Sequence, residues 1–179
     1  MPEEDPYAHT LHRSPKPPEA PDLRRDRGRV AACAAVGSLL TDARSTWYER
    51  LKKPSWQPPR AAFPIVWTSL YALVAVSAST AVSRMEAEGR AAEASGFKRA
   101  LATNLILNAG WCGLFFRARN LPAATVGAAA LAESSAGRAR RAASTGAGPA
   151  LGLGAYAAWC GFATALSSSL ATLNPTDDE

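Results

Sequence analysis

Aromatic and amide side chains recur at helical spacing in three apolar segments, and they are the residues best suited to binding a ligand. Trp67 and Tyr71 are four residues apart. The second stripe consists of Asn104, Asn108, Trp111 and Phe115, and the third of Tyr156, Trp159, Ala163 and Leu166. Because residues three or four apart share one face of an α-helix, each stripe lies on a single face. Indole rings with a few hydrogen-bonding groups predict a cavity for a planar, largely apolar ligand.

The two amides of the second stripe have two interpretations. Asn104 and Asn108 lie in an apolar segment, where an unsatisfied amide facing lipid costs several kcal/mol. Both side chains are therefore expected to point into a helical bundle. They would either contact a ligand there or hydrogen-bond to neighbouring helices.

The five tryptophans divide into two groups by position. Tryptophan is enriched at membrane interfaces, and this suits Trp47 and Trp56, which lie in a proline-rich connection. Trp67, Trp111 and Trp159 lie further into the predicted membrane spans and share faces with polar or small residues. These three favour a cavity lined by aromatic rings.

No arrangement of residues typical of an enzyme or a metal site is visible. His9 and His12 lie in a polar tail, there is no GxSxG or P-loop motif, and no predicted helix carries paired carboxylates. The three cysteines have no metal-ligand spacing. The sequence therefore predicts no catalytic residue, no metal site and no required cofactor.

The net charge of +5 invites a nucleic-acid interpretation, which the position of the charges disfavours. Four arginines lie between Arg24 and Arg29, next to a hydrophobic segment. Such a cluster is typical of the cytoplasmic side of a membrane span. We expect a lipid bilayer and no nucleic acid as partner.

Uncharged runs of bilayer length must position the stripes. Residues 61–83 and 142–176 contain no charged residue, and each run can cross a hydrocarbon core of about 30 Å. The predicted spans are 30–46, 62–83, 100–116, a fourth that begins at residue 121, and 149–173. The predicted fold class is all-α, an integral membrane bundle of five transmembrane helices.

The segments outside the spans are polar. Residues 1–29 are rich in Pro, Arg, Asp and Glu and are expected to be a disordered tail, residues 30–174 the membrane domain, and residues 175–179 an acidic tail. The charged segment 84–99 is expected to be an aqueous loop. Glu133, Arg138, Arg140 and Arg141 predict that the fourth span either is short or extends its end into the headgroups.

Four sequence segments resemble the TspO/MBR family, also called tryptophan-rich sensory proteins or translocator proteins. WYERLKKPSWQPP followed by FPIVWTSLYALVAVSAS is similar to the family's WY, its KPSWxPP loop and its VWTxLY helix. NLILNAGWCGLFF and AYAAWCGFATALSSSLATLN are similar to its third and final helices. The resemblance covers residues 30–174. Ala155 replaces a family proline, and Ser167 replaces a family asparagine.

The resemblance implies a function and a site. Family members form five-helix bundles, often homodimers, that bind porphyrins such as protoporphyrin IX and haem. Together, the stripes and the resemblance predict a binding set of Trp47, Trp67, Tyr71, Asn104, Asn108, Trp111, Phe115, Trp159 and Ala163. The predicted lid loop comprises Tyr48, Pro54, Trp56, Pro58 and Pro59.

Three functional hypotheses follow. The first is a tetrapyrrole-binding, multi-pass membrane protein that senses or transports porphyrins or regulates their metabolism. The second is an enzyme that degrades porphyrin photo-oxidatively through its tryptophans, and the third is a regulatory scaffold without a physiological small ligand. The Arg- and Ala-rich composition is typical of a high-GC bacterium, so the expected location is a bacterial cell envelope, with a homodimer as one expected assembly.

Overall fold

The computed structural model describes residues 45–175, and every regular element in that range is helical. The elements are α1 (Thr46–Arg50), α2 (Ala62–Ala87), α3 (Ala91–Cys112) with a π-helical turn (Gly113–Arg117), α4 (Leu121–Ala142) with a 3₁₀ turn (Ala143–Thr145), and α5 (Ala147–Leu173). The predicted all-α class is confirmed, and α2 to α5 correspond to the second to fifth predicted spans. The predicted tail 1–29, almost all of span 30–46 and residues 176–179 lie outside the described residues.

Local sequence signals set where the helices begin. Ser45 caps α1, because its Oγ accepts a hydrogen bond from the Tyr48 backbone N–H at 3.3 Å. Asn120 caps α4 in the same way, accepting from the Ala123 N–H at 2.9 Å, and Pro122 lies in the first turn. Gly146 precedes α5 with φ of 127°, a conformation that favours glycine.

The prediction of an aqueous loop over residues 84–99 is wrong. Helix α2 continues to Ala87 and α3 begins at Ala91, so only residues 88–90 separate them. Alanine, glutamate, lysine and arginine are good helix formers, and charged side chains can be solvated at helix ends without breaking the helix. The Lys98–Glu86 ion pair, at 2.7 Å, then joins the two helices.

The two alternatives predicted for the fourth span do not anticipate the position of Arg138. Helix α4 is complete over 22 residues, and its last turns carry Arg138, Arg140 and Arg141. Arg140 is exposed and pairs with Glu133 at 2.9 Å. Arg138, by contrast, is only 1% exposed and lies inside the bundle. Arg138 and Arg140 are two positions apart and therefore face opposite sides of the helix. One is buried and the other is solvated.

The outer faces of the bundle suit lipid. Among the described residues, α2 and α5 are long and apolar enough to cross a membrane, by length and composition. Large aliphatic side chains are exposed on all four long helices: Ile65, Leu73 and Val76 on α2, Ile106 on α3, Val126 on α4, and Leu151 and Leu173 on α5. Exposed apolar surface of this extent is expected in a membrane protein and is unusual for a soluble monomer.

Among the helices that the structure describes, α4 and α5 share the largest interface. The contact between α2 and α5 is close at Gly152, where an added Cβ would collide with the Ser77 hydroxyl and lie 3.2 Å from Leu73 Cδ1. Small residues allow such close approach where lipid provides no hydrophobic drive for helix association. The packing of α5 on α2 and α4 brings its aromatic stripe to the interior.

Candidate functional site

A cavity opens near one end of the bundle, between α2, α3, α5 and the connection that includes α1. Its lining residues are predominantly aromatic or aliphatic: Tyr48, Phe63, Trp67, Trp111, Phe115, Trp159, Phe162, Ala163, Leu166 and Ser167. The unoccupied space is about 380 Å³ with the mouth included.

Trp67 is the centre of the aromatic wall. Its ring centroid is 6.1 Å from that of Trp111 with the planes at 33°, and 6.3 Å from that of Trp159 with the planes at 88°. Trp159 also stacks on Phe162 at 5.0 Å. Tilted and edge-to-face pairs at these distances are the favoured aromatic geometries. The three tryptophans that the sequence separates by 44 and 48 residues therefore converge on one cavity.

The helices position these rings by their spacing. Trp159, Ala163 and Leu166 follow one another at intervals of four and three residues on α5, so they share a face. Phe115 lies in the π-helical turn, in which the Ala118 N–H bonds to the Gly113 carbonyl at 2.9 Å. Such turns insert one extra residue into a helix and occur frequently at functional sites.

Helix α1 and the residues between it and α2, 51–61, close one side of the cavity. We call residues 46–61 the connection. Tyr48 is buried, and its hydroxyl accepts a hydrogen bond from Gln57 Nε2 at 3.3 Å. Lys53 Nζ donates to the carbonyls of Tyr48, Glu49 and Leu51 at 2.7–3.0 Å. These bonds give the connection a defined conformation without regular secondary structure.

A reciprocal amide pair attaches the connection to the end of α5. The Lys52 N–H donates to Asn174 Oδ1 at 2.8 Å, and Asn174 Nδ2 donates to the Lys52 carbonyl at 2.9 Å. The two residues are 122 positions apart in sequence. We call this pair of hydrogen bonds the Asn174 clamp. It links the connection to the helix that carries Trp159.

The cavity wall is uncharged. Burial raises the pKa of the Tyr48 phenol above its usual value, an effect that the Gln57 hydrogen bond and the charge of Arg60 reduce in part. The phenol is therefore neutral at physiological pH, and no other lining residue carries a charge. Charged groups lie nearby, with Arg60 paired to Glu49 at 2.9 Å and the Arg119 guanidinium 5.8 Å from the Trp47 ring.

Six of the predicted residues line this cavity, and the others do not. The lining set contains Tyr48, Trp67, Trp111, Phe115, Trp159 and Ala163. Trp47 instead packs edge-on against Phe115 at 5.9 Å. Trp56 is 48% exposed and meets Phe162 at 5.7 Å.

The prolines of the predicted lid shape the connection and do not reach the cavity lining. The Pro54 and Pro59 carbonyls accept hydrogen bonds from the Gln57 and Ala62 N–H groups at 3.0 and 2.9 Å. Pro58 lies between these two turns. Because proline fixes its own φ angle, these residues limit the conformations available to the connection. A stiff connection is what a segment with four prolines predicts.

The two asparagines bond to neighbouring helices and lie outside the cavity lining. The Tyr71 hydroxyl donates to Asn108 Oδ1 at 2.9 Å, and Asn108 Nδ2 donates to the Tyr156 oxygen at 2.9 Å. Asn104 Nδ2 donates to the Ser134 and Ser135 hydroxyls at 3.1 and 3.0 Å. In this geometry Tyr71, Asn104 and Asn108 hold the helices that carry the rings.

The predicted binding set and lid omit four lining residues: Phe63, Phe162, Leu166 and Ser167. Leu166 lies on the third stripe but is not in that set. Phe63 precedes Trp67 by four residues, Phe162 follows Trp159 by three, and Ser167 follows Ala163 by four. Helical spacing could have identified these three as well.

Two of the lining tryptophans have an unpaired indole N–H group. The indole Nε1 atoms of Trp111 and Trp159 are buried and have no hydrogen-bond partner. A buried N–H without an acceptor is costly, so a ligand that presents an acceptor would gain from meeting it. Within residues 45–175 no cluster of three His, Cys, Asp or Glu residues could hold a metal ion. The arrangement can stack, enclose and orient a planar molecule.

Comparisons with known proteins agree with the motifs. The model of the TspO/MBR family matches residues 28–173. The tryptophan-rich sensory protein of Cereibacter sphaeroides is 38% identical over 98 residues, which are 53% of this chain and 56% of that protein. Protein CrtK of Rhodobacter capsulatus is 36% identical over 88 residues, 49% of this chain and 52% of CrtK. The tryptophan-rich protein TspO of Chlorobaculum tepidum is 36% identical over 92 residues, 49% of this chain and 56% of that protein. The chain thus spans about half the length of the curated relatives it matches.

Proposed function

We propose, because this chain belongs to the TspO/MBR family, that it binds a tetrapyrrole such as protoporphyrin IX or haem in the aromatic cavity. Its role would be to sense, transport or regulate porphyrins in a bacterial cell envelope, either alone or as a homodimer. The observation that carries the proposal is the convergence of Trp67, Trp111 and Trp159 on one uncharged cavity. Flat indole surfaces favour a flat conjugated ligand.

The residues of the site would have different roles in binding. The rings of Trp67, Trp111 and Trp159 would stack on the macrocycle or meet its edge, and the free indole N–H groups of Trp111 and Trp159 would donate to ligand acceptors. Arg60 and Arg119, which lie outside the lining, would meet the ligand's propionates by charge-assisted hydrogen bonds. Tyr71, Asn104 and Asn108 would act by positioning the helices.

Entry of a macrocycle requires the cavity to expand. A substituted porphyrin is larger than the cavity, whose unoccupied space is about 380 Å³ even with the open mouth included. The segment best placed to move is the connection that includes Tyr48, because the Asn174 clamp and a few local hydrogen bonds hold it. Opening of this connection is therefore part of the proposed binding step.

The proposal is tested by titrating purified protein in detergent with protoporphyrin IX and following the porphyrin's absorption band. We expect the Trp67→Ala, Trp159→Ala double variant to bind at least tenfold more weakly, because two aromatic contacts of about 1 kcal/mol each are lost. Ile106→Ala is the control, since that side chain is exposed on α3 and outside the cavity lining, and it should bind as the wild type does. Unchanged affinity in a folded double variant would reject this cavity.

A second candidate function is tryptophan-dependent photo-oxidative degradation of the bound porphyrin, with dioxygen as the oxidant that takes up the electrons. The close spacing of the Trp67, Trp111 and Trp159 rings, 6.1 and 6.3 Å, favours it, since a redox-active ring would have aromatic neighbours. Illumination should then yield a new absorbing product in the wild type and not in the double variant. The scaffold hypothesis makes a different prediction. In that case porphyrin binds to the protein no better than to lipid alone, and crosslinking recovers a specific membrane protein; this pair of results would replace the binding and the degradation proposals.

A further inference from the structure

Ser167 brings a buried hydroxyl group to the wall of the aromatic cavity. The residue is 1% exposed and belongs to the cavity lining. Trp159, Ala163 and Ser167 follow one another on α5 at intervals of four residues, so they share one face of the helix. The Ser167 hydroxyl has no hydrogen-bond partner within residues 45–175.

Other hydroxyl groups of the bundle are satisfied by their own helix. The buried Ser79 and Ser135 donate to carbonyls three and four residues earlier, at 2.9 and 2.7 Å. On α5, Thr164 and Thr172 donate to carbonyls four residues earlier, at 2.9 and 3.1 Å. Ser167 makes no bond of this kind. Because a buried hydroxyl without a partner is unfavourable, this group would gain from meeting a ligand atom.

The side chains of the cavity lining supply hydrogen-bond donors. Its three tryptophans can only donate through their indole N–H groups, whereas the hydroxyls of Tyr48 and Ser167 can donate and accept. The Tyr48 oxygen already accepts from Gln57 Nε2, which leaves its proton for an acceptor. The lining contains no carboxylate or amide side chain. The cavity therefore favours a ligand that carries acceptor atoms.

Ser167 is placed to meet the edge of a ligand whose ring stacks on the tryptophans. It lies eight residues beyond Trp159, which is about 12 Å along the helix at a rise of 1.5 Å per residue. This direction leads toward the end of α5 that the Asn174 clamp joins to the connection. Arg60, which we assign to a propionate, belongs to the same connection. The ring and the polar edge of the ligand would thus meet different parts of α5.

We propose that Ser167 determines the specificity of the cavity by donating a hydrogen bond to a carbonyl or carboxylate oxygen on the edge of the macrocycle. This inference rests on the proposed tetrapyrrole function and narrows its ligand class to tetrapyrroles with carboxyl side chains. A macrocycle that carries only alkyl side chains leaves the Ser167 hydroxyl unsatisfied and binds more weakly.

The test compares the affinities of the full chain in detergent for protoporphyrin IX and for etioporphyrin, a porphyrin with alkyl substituents only. Ser167→Ala should weaken protoporphyrin IX binding about tenfold, as expected for one hydrogen bond to a charged acceptor, and leave etioporphyrin binding unchanged. Ser167→Thr keeps the hydroxyl and should keep the wild-type ratio of the two affinities. Ser168→Ala is the matched control, since Ser168 is the next residue and is exposed.

The ratio of the two affinities separates a hydrogen bond from a change in packing, because altered packing would weaken both porphyrins alike. A wild-type ratio in Ser167→Ala, or equal ratios in Ser167→Ala and Ser167→Thr, would overturn the proposal and leave the cavity as the porphyrin site. A wild type that binds neither porphyrin would reject the proposed function together with this inference.

The dimethyl ester of protoporphyrin IX distinguishes the two kinds of acceptor. If the acceptor is a carboxylate oxygen, Ser167→Ala should have little effect on binding of the ester. If the acceptor is a carbonyl oxygen, the variant should weaken binding of the ester and of the free acid to the same extent.

Discussion

At the scale of single residues, the buried amides carry the polar connections between helices. Asn108 uses both ends of its amide, accepting from Tyr71 on α2 and donating to Tyr156 on α5. Asn104 connects α3 to α4 through Ser134 and Ser135. Since the lipid interior supplies no water, these bonds have no competing partner and fix the helices relative to one another.

Replacing Asn108 by leucine should lower the stability of the ligand-free protein. The Tyr156 hydroxyl loses its donor and the Tyr71 hydroxyl loses this acceptor, at a cost of about 1–3 kcal/mol. Thermal unfolding in detergent measures the effect. Tyr71→Phe removes one of the two bonds and should cost less. If the Asn108→Leu variant instead keeps the Tm of the wild type and no longer binds porphyrin, Asn108 is a direct ligand contact.

At the scale of elements, the connection between α1 and α2 depends on a contact with the far end of the chain. Only the Asn174 clamp joins Lys52 to α5 by backbone hydrogen bonds in the described residues. The remaining bonds of Lys53 and Gln57 are internal to the connection. The clamp therefore adds two hydrogen bonds to the apolar contacts, such as that of Trp56 with Phe162, that hold the connection against α5.

Asn174→Ala should make the connection open more often. Loss of two hydrogen bonds, each contributing about 0.5–1.5 kcal/mol, should raise the open population about tenfold. Limited trypsin digestion after Arg50 and Lys52 reports this population, and cleavage there should accelerate. Thr172→Ala is the control, because its side chain bonds only to Ser168 of the same helix. Equal cleavage rates in both variants would show that the clamp does not restrain the connection.

The close contact between α2 and α5 gives a second test at this scale. In Gly152→Ala the new methyl group would collide with the Ser77 hydroxyl, and overpacking of this kind costs about 1–3 kcal/mol. The Tm should fall. Gly154→Ala is the control two residues away, since nothing lies within 4 Å of its added Cβ. Adding Ser77→Ala to Gly152→Ala should restore part of the loss, and a failure to do so would place the strain elsewhere.

At the scale of the whole molecule, large aliphatic side chains are exposed on the outer faces of the helices. Ile65, Ile106, Val126 and Leu151 are exposed, while the core that they surround is also largely apolar. A soluble monomer rarely exposes so much apolar surface. This outer surface, with the two apolar helices α2 and α5 and membership of a family of membrane helical bundles, supports a membrane location.

The chain should therefore remain with membranes after a wash in alkaline carbonate and leave them only in detergent. Burial of the outer aliphatic faces in lipid provides the physical reason, since transfer of that surface to water is unfavourable. Immunoblotting of the pellet and supernatant measures the distribution, with a peripheral membrane protein as control. Recovery of folded chain in the carbonate supernatant would contradict a membrane-spanning bundle.

The sequence alone determined the family and the helical class, and it named six of the ten residues that line the aromatic cavity. Uncharged runs and the WY, KPSWxPP and VWTxLY motifs are local features, and helical spacing correctly placed Trp159 and Ala163 on one face. The family assignment is confirmed over residues 28–173. Such features can be recognised locally because they depend on residues within one or two helical turns.

Only the tertiary structure decided which polar groups face the cavity. Periodicity put Asn104, Asn108, Trp111 and Phe115 on one stripe, yet the asparagines bond to α2, α4 and α5 while the rings line the cavity. A helical face meets different partners along its length, and spacing within that helix carries no information about them. The burial of Arg138 and the clamp across 122 residues depend on contacts between distant segments for the same reason.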